Sequence, residues 1–305
     1  MQSKAQEIVA FIDHVSKDFN TKKAVIDVSI NIHRGEILSI LGPNGAGKTT
    51  LINMMLGRLS LSRGNMSLFG LQPGSIELKR QCGAMLQVSS LPDMSTVKEH
   101  IQLFQSYYSN PMNYQQVIDF SELKEIENNY SKNLSGGQKQ RLLFALSICG
   151  NPKLLFLDEP TVGLDIKARK SLWRTISELK KQGTSIVLTT HYLEEADQLS
   201  DQIIMLNQGR IIQQGTPAQI KSQVATKTIR FVSSIAKYKL LKLPAVVQVE
   251  QSGDFFEIIT KDPVITLRKI FDISKDVEEL TVSGTALEDA FLQLNQADNS
   301  TSHAA

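Results

Sequence analysis

The chain has 305 residues, and its apolar share of 41% and charged share of 21% are those of an ordinary globular protein. Lysine and arginine total 33 against 31 acidic residues, and this near balance argues against nucleic acid as a partner. The sequence predicts no secretory signal, and no uninterrupted apolar run approaches the ~18 residues of a membrane-spanning helix. We therefore expect a protein that acts at a membrane only through a partner. Cys82 and Cys149 lack the spacing of a metal site and predict two reduced thiols in a cytosolic protein.

The first stretch, residues 7–59, predicts strands followed by a helix. EIVAFIDHV, AVIDVSINI and EILSIL have the pattern of strands, and LINMMLGRL has that of a helix. Between EILSIL and this helix stands GPNGAGKTT, residues 42–50. A strand, a glycine-rich turn and a helix in this order form the setting of a phosphate-binding loop.

The middle of the chain is less regular than the stretch after residue 134. The spacing of Val97, Ile101, Phe104 and Tyr108 predicts helix, and we place a helical insert at about 88–132. Helices and strands then alternate in the order QKQRLLFALSICG, KLLFLDEP, KARKSLWRTISELKKQG, SIVLTTH, YLEEADQLS and QIIMLNQG. Because these strands are apolar throughout, they predict a parallel sheet covered on both faces.

The pattern changes again after Gly215-Thr216-Pro217. Short strands (TIRFV, AVVQVE, FFEII, VEELTV) and two helical segments (VITLRKIF, ALEDAFLQL) predict a small α/β domain. We place the first domain at 1–220, a linker at 221–227, the accessory domain at 228–295 and a polar, disordered tail at 296–305.

GPNGAGKTT fits the pattern G-x-x-x-x-G-K-[ST]. The glycines let backbone N–H groups approach phosphates, and the N-terminus of the next helix favours negative charge. We expect Lys48 to reach the β- and γ-phosphates of a nucleotide and the Thr49 hydroxyl to bind Mg²⁺. The expected nucleotide-binding residues of this loop are Gly42, Pro43, Asn44, Gly45, Ala46, Gly47, Lys48, Thr49 and Thr50.

Strand ends supply further candidates for catalysis. The apolar strand LLFL ends in Asp158 and Glu159, at the edge where parallel sheets bind ligands. We expect Asp158 to hold Mg²⁺ and Glu159 to be the general base that activates water. His191, at the end of SIVLTTH, either bonds the γ-phosphate or is only a polar strand terminus. Gln87, after GAML, is a similar polar residue at a strand end.

A second glycine-rich turn at the start of a predicted helix, LSGGQ at 134–138, contains no lysine. The cap of an ordinary helix accounts for Ser135. It does not account for Gly136 and Gly137, since glycine lowers helix stability.

Together these motifs identify a family. GPNGAGKTT, the Gln87 strand end, LSGGQ, LLFLDEP, TVGLD and TTH stand in the order found in ATP-binding-cassette (ABC) ATPases, which the chain resembles over about residues 7–217. The resemblance implies a P-loop α/β fold, with a mixed sheet core and a helical subdomain, that binds ATP with Mg²⁺. It implies that Gln87 contacts Mg²⁺ and the attacking water, that His191 is the switch histidine, and that Asp165 links two ATP sites. Phe19 occupies the place of an aromatic residue that stacks on adenine.

The same resemblance implies that each chain carries half of a shared site. A second ATP-binding subunit, most simply in a homodimer, would place its own signature turn over the γ-phosphate; the residues of that turn are Ser135, Gly136, Gly137 and Gln138. It also implies integral membrane permease subunits as partners and a place on the cytoplasmic face of the cell membrane. The C-terminal part resembles the accessory domain of exporters for drugs, polysaccharides or lipids, although such a domain could equally stabilise a dimer.

Two other classes fit less well. A soluble ABC ATPase acting on ribosomes, DNA or protein complexes would be expected to show two cassettes, long heptads or zinc-binding cysteines, whereas this chain has one cassette and two cysteines. A P-loop kinase or small GTPase needs no LSGGQ, and the sequence contains no Asn-Lys-x-Asp stretch for reading guanine.

Overall fold

The computed structural model describes residues 7–86, 91–223, 226–284 and 287. The chain divides into two compact units between Thr216 and Pro217. The first unit contains, in chain order, β1 (Ile8–Phe19), β2 (Lys22–His33), β3 (Ile37–Leu41), α1 (Lys48–Met55), β4 (Arg63–Leu68), α2 (Ile76–Lys79), β5 (Cys82–Met85), α3 (Val97–Gln105), α4 (Tyr114–Ser121), α5 (Gly136–Ile148), β6 (Leu154–Asp158), α6 (Ile166–Lys181), β7 (Ser185–Thr189), α7 (Leu193–Leu199), β8 (Gln202–Asn207) and β9 (Arg210–Gly215). The second contains α8 (Pro217–Gln223), β10 (Lys227–Val232), α9 (Lys237–Leu240), β11 (Val246–Ser252), β12 (Phe255–Thr260), α10 (Pro263–Ile273) and β13 (Glu278–Gly284).

A six-stranded sheet in the order β5-β6-β7-β3-β8-β9 forms the centre of the first unit. Its strands are parallel from β5 to β8, and β9 pairs antiparallel with β8. Strands β3, β6 and β7 are buried along their whole length, as their unbroken apolar sequences predict. The predicted α/β class with a mixed sheet is confirmed.

Successive side chains of β6 point into apolar cores on opposite faces of this sheet. Leu155 and Leu157 pack with the buried residues of α3, α4, α5 and α6. Leu154 and Phe156 pack with α1 and with a separate antiparallel sheet in the order β2-β1-β4. The first two predicted strands therefore pair with each other, and β4, which we did not predict, pairs with β1.

Helices α3 and α4 lie within the segment predicted as a helical insert. Thr96 caps the N-terminus of helix α3. Its hydroxyl accepts from the Glu99 backbone N–H at 3.2 Å, while the Glu99 carboxylate accepts from the Thr96 N–H at 2.7 Å. This reciprocal cap satisfies two donors that a helix start leaves unpaired. Two 3₁₀ turns, Lys124–Ile126 and Ser131–Asn133, complete the segment. Tyr108, which we included in the helical pattern, lies beyond the end of α3.

The second unit has the order β11-β12-β10-β13, with every neighbouring pair antiparallel. From β10 to β13 the elements follow a β-α-β-β-α-β sequence, a known supersecondary arrangement. Helix α8 occupies part of the stretch predicted as linker, because the fixed φ of Pro217 suits a first helical position. Apart from Leu287, ALEDAFLQL and the predicted tail lie outside the described residues.

Both cysteines are buried free thiols, and burial raises the pKa of each to about 12. Such thiols are unreactive because the thiolate is the reactive form. Within the described ranges, no helix is both long enough and apolar enough to cross a membrane.

Candidate active site

The phosphate-binding loop connects β3 to α1 and depends on two glycines. Gly42 has φ +157° and Gly47 has φ +109°. A Cβ at Gly42 would lie 2.2 Å from the carbonyl oxygen of Leu206, and one at Gly47 would lie 2.4 Å from that of Ala24. Because those obstacles are backbone atoms, only glycine lets the loop lie this close to the end of β8 and the start of β2.

Lys48 is the first residue of α1, and its side chain turns back over the loop. The ammonium donates to the Gly42 carbonyl oxygen at 2.7 Å and to that of Pro43 at 3.2 Å. Burial lowers the pKa of Lys48, while the charges of Glu159 and Asp158 oppose that effect. The loop therefore holds a desolvated cation, whose attraction for phosphate is stronger than that of a solvated one.

Asp158, at the end of β6, is held between two threonine hydroxyls. Thr49 Oγ1 donates to Asp158 Oδ2 at 3.3 Å, and Thr189 Oγ1 donates to Oδ1. Thr189 belongs to β7, which lies between β6 and β3 in the sheet. The converging hydroxyl and carboxylate oxygens fit Mg²⁺, which is typically held by one or two carboxylates together with substrate phosphates. Among the described residues no cluster of three or more His, Cys, Asp or Glu forms a fuller protein cage for a metal.

Glu159 faces His191 across this edge of the sheet. Its backbone has φ +53°, which is uncommon for a residue other than glycine and turns the chain sharply after β6. Its N–H still donates to the Thr189 carbonyl oxygen at 3.0 Å. The carboxylate Oε2 lies 2.6 Å from His191 Nδ1. Glu159 is buried, whereas about half of the His191 side chain is exposed.

A cavity of about 370 Å³ lies over the loop and is lined by Phe19, Lys22, Ala24, Asn44, Gly45, Gly47, Lys48, Thr49, Thr50, Asp158 and Glu159. Phe19, the last residue of β1, is 43% exposed, and the Lys17 ammonium lies 5.2 Å from its ring centroid. An exposed ring at the mouth of a phosphate site is suited to stacking on a nucleotide base.

The structure does not bring every predicted residue to this cavity. None of the described residues that line it comes from the LSGGQ turn or is Asp165. Ser135 instead caps α5, accepting from the Gln138 N–H at 3.3 Å, and Asp165 caps α6, accepting from the Ala168 N–H at 2.8 Å. Gln87 lies outside the described residues.

Three residues of the site were not predicted from the sequence. Thr189 orients Asp158, and Lys22 lines the cavity. Gln140, from α5, donates to the backbone carbonyl oxygens of Glu159 at 3.2 Å and Pro160 at 3.0 Å. These contacts depend on strands and helices far apart in the sequence, so no local pattern indicates them.

A third buried carboxyl group, that of Glu195, is close enough to the site to feel the charge of Glu159. Glu195, in α7, is fully buried, and its Oε1 accepts from Trp173 Nε1 of α6 at 2.8 Å. Burial raises the pKa of Glu195; contacts with Thr190, Trp173 and Thr161 oppose the rise, and the charge of Glu159 adds to it.

We predict that Glu195 makes the folded state less stable as the pH rises. Its pKa is higher in the folded protein than its ordinary value of 4.5. The folded state therefore holds a proton that the unfolded state releases, and stability falls as the pH rises from about 4.5 through the folded-state pKa. Each unit of difference corresponds to about 1.4 kcal/mol. Thermal melts across this pH range should show the melting temperature of the wild type falling, relative to that of Glu195→Gln, as the pH rises. The prediction would be contradicted if the melting temperatures of the two proteins changed with pH in parallel.

Comparison with known proteins places this geometry in a family. The family model described as "ABC transporter" matches residues 25–162. The chain is 35% identical over 291 residues to Nod factor export ATP-binding protein I of Rhizobium johnstonii, covering 92% of each protein. It is 31% identical to the daunorubicin/doxorubicin resistance ATP-binding protein DrrA of Streptomyces peucetius, covering 95% of this chain and 94% of that one.

Solved structures resemble about 70% of the chain. An ATP-binding subunit of an ABC transporter matches with a TM-score of 0.64 and 26% identity, covering 70% of this chain and 92% of that one. A dimeric bacterial ABC transporter cassette matches with a TM-score of 0.62 and 24% identity, covering 68% of this chain and 98% of that one. The second likeness supports the fold alone.

Proposed function

Since the chain belongs to the ABC transporter family of ATP-hydrolysing proteins, we propose that it is the motor subunit of an exporter. Two copies close around two MgATP molecules, and closure and reopening drive integral membrane permease subunits through alternating conformations. The relatives named for Nod factor export and for drug resistance support export as the direction. In this proposal the protein lies on the cytoplasmic face of the cell membrane and is held there by the permease.

The two glycines of the LSGGQ turn carry the proposal of a shared site. A Cβ at Gly136 would meet no atom within 4 Å, and one at Gly137 would come no closer than 3.5 Å to Leu164. Neither glycine is among those with a left-handed backbone. One chain thus has no conformational or steric need for them, and glycine lowers helix stability relative to alanine. A phosphate approaching from a second subunit supplies the missing reason, because glycine leaves backbone N–H groups and the positive end of α5 accessible.

In the proposed reaction the residues of the site have separate tasks. Loop N–H groups and Lys48 bind the β- and γ-phosphates, and Phe19 stacks on adenine. Glu159 accepts a proton from the attacking water. His191, when both of its ring nitrogens carry a proton, donates from Nδ1 to Glu159 and from Nε2 to an oxygen of the γ-phosphate. Thr49 and Asp158 would hold Mg²⁺, with Gln87 added by family resemblance, and the ion would supply positive charge to neutralise the phosphate oxygens.

A soluble remodelling ATPase is the alternative, and its site would look the same. The relatives named for Nod factor export and for drug resistance, whose likeness includes the C-terminal unit, favour the transporter.

Gly136→Asp is expected to fold normally and bind ATP, yet hydrolyse it about 100-fold more slowly. An aspartate in the first turn of α5 suits the helix dipole and has open space. In a shared site the same charge would repel the γ-phosphate held by the other subunit and remove a stabilising group of the transition state. Melting temperature, nucleotide affinity and steady-state hydrolysis test these three expectations.

Gly136→Asn is the matched control, since it has the same shape without the charge and should lose less activity. A wild-type rate of hydrolysis in Gly136→Asp would contradict the shared site. Loss of ATP binding by the monomer would instead place the turn at its own chain's nucleotide.

A further inference from the structure

The exposed His191 ring contacts the Tyr192 ring, which in turn contacts Arg169 of helix α6. We call Tyr192 and Arg169 the stack. The ring centroids of His191 and Tyr192 lie 4.1 Å apart, with 37° between their planes. The Arg169 guanidinium carbon, from α6, lies 4.2 Å from the Tyr192 ring centroid. Arg169 Nε is buried and has no hydrogen-bond partner among the described residues. The Tyr192 ring is thus a principal contact of this guanidinium.

We propose that Tyr192 and Arg169 are positioning residues that hold the His191 imidazole in the orientation used for hydrolysis. This inference rests on the role proposed above for His191. Nothing in the motifs of the family assigns a task to either residue, and both stood in the sequence as parts of ordinary helical segments.

The geometry indicates that the stack fixes the orientation of the His191 ring. About half of the His191 side chain is exposed, so the core does not fix the ring. Its Nδ1 contact with Glu159 at 2.6 Å fixes one atom and leaves the tilt of the ring open. Contact with the Tyr192 face restricts that tilt and directs Nε2. Since displacement of a reacting group by about 1 Å can lower a rate about 100-fold, this restriction bears directly on turnover.

The stack is not needed to hold α6 against α7. Trp173 of α6 already donates to Glu195 of α7 at 2.8 Å, in a buried contact. Arg169 also remains anchored through its backbone, whose N–H donates to the Asp165 carbonyl oxygen at 2.9 Å. Removing the aromatic ring or the guanidinium should therefore leave the two helices docked.

Steady-state hydrolysis by the full chain tests the proposal with three variants. Tyr192→Ala should lower kcat about tenfold or more while KM for ATP stays within about twofold, because the nucleotide is bound by the loop and not by the stack. Tyr192→Phe keeps the ring and should restore most of the wild-type kcat. Arg169→Ala should lower kcat by a smaller factor. Arg174→Ala, an exposed arginine on the same helix, is the matched control and should behave as wild type.

His191→Ala and the double variant with Tyr192→Ala separate this inference from the role of His191. If Tyr192 acts through the histidine, the double variant should be no slower than His191→Ala. A wild-type kcat in both Tyr192→Ala and Arg169→Ala, with His191→Ala impaired, would overturn the positioning role alone. Normal hydrolysis by His191→Ala would overturn the proposed task of the histidine and this inference with it. Should Tyr192→Ala melt at a much lower temperature, the Arg169→Ala and Tyr192→Phe results decide the question.

Discussion

Glu159→Gln is expected to bind MgATP as the wild type does and to hydrolyse it at least about 100-fold more slowly. The substitution keeps the shape of a buried side chain whose Oε2 lies 2.6 Å from His191 Nδ1, but the amide cannot accept a proton. General base catalysis typically contributes a factor of about 100 to 10,000. Since nucleotide remains intact between two copies, the variant should also accumulate as a dimer with MgATP.

Single-turnover hydrolysis and size-exclusion chromatography with and without MgATP measure both effects. Glu194→Gln, an exposed carboxylate of α7, is the matched control and should hydrolyse ATP normally. Turnover by Glu159→Gln at the wild-type rate would remove Glu159 from the role of base. Slow hydrolysis without dimer formation would leave the base in place and contradict closure of two copies.

Lys48→Ala is expected to lose nucleotide affinity itself, by about 10- to 100-fold. Lys48 is 8% exposed and its ammonium lies at the loop, so its hydrogen bonds to phosphate are charge-assisted and poorly screened. Such bonds contribute about 1.5–3 kcal/mol each. Titration of a fluorescent ATP analogue measures the change.

The same lysine donates to Gly42 and Pro43, so the loop itself must be shown to persist. Lys48→Arg keeps the charge with a different shape and should bind more tightly than Lys48→Ala. An unchanged melting temperature without nucleotide would establish that affinity, rather than folding, was lost. Wild-type affinity in Lys48→Ala would contradict the proposed contact with phosphate.

Local sequence patterns predicted the phosphate-binding loop and the two carboxylates at the end of β6. The loop from Gly42 to Thr49 and the pair Asp158 and Glu159 follow directly after apolar strands, so their place at the sheet edge could be inferred from strand direction alone. The structure places five loop residues and both carboxylates at one cavity; the loop residues are Asn44, Gly45, Gly47, Lys48 and Thr49. The roles of those residues remain proposals for the experiments above.

Contacts between distant segments could not be predicted in this way. Thr189 reaches Asp158, and Trp173 reaches Glu195, only because the strand order and the packing of α6 on α7 bring them together. Strands β4 and β9 were also not predicted, because their short sequences lack a continuous apolar or alternating pattern. Pairing with β1 and β8 stabilises them as strands.

The most direct test of the proposed motor function is to identify what Glu159→Gln binds in its native cell. The tagged variant would be trapped with MgATP, purified from detergent-solubilised membranes, and its partners identified by mass spectrometry. The account predicts a polytopic membrane protein in stoichiometric amount. Recovery of only ribosomal, DNA-bound or other soluble partners would leave the ATP chemistry standing and contradict the role in transport.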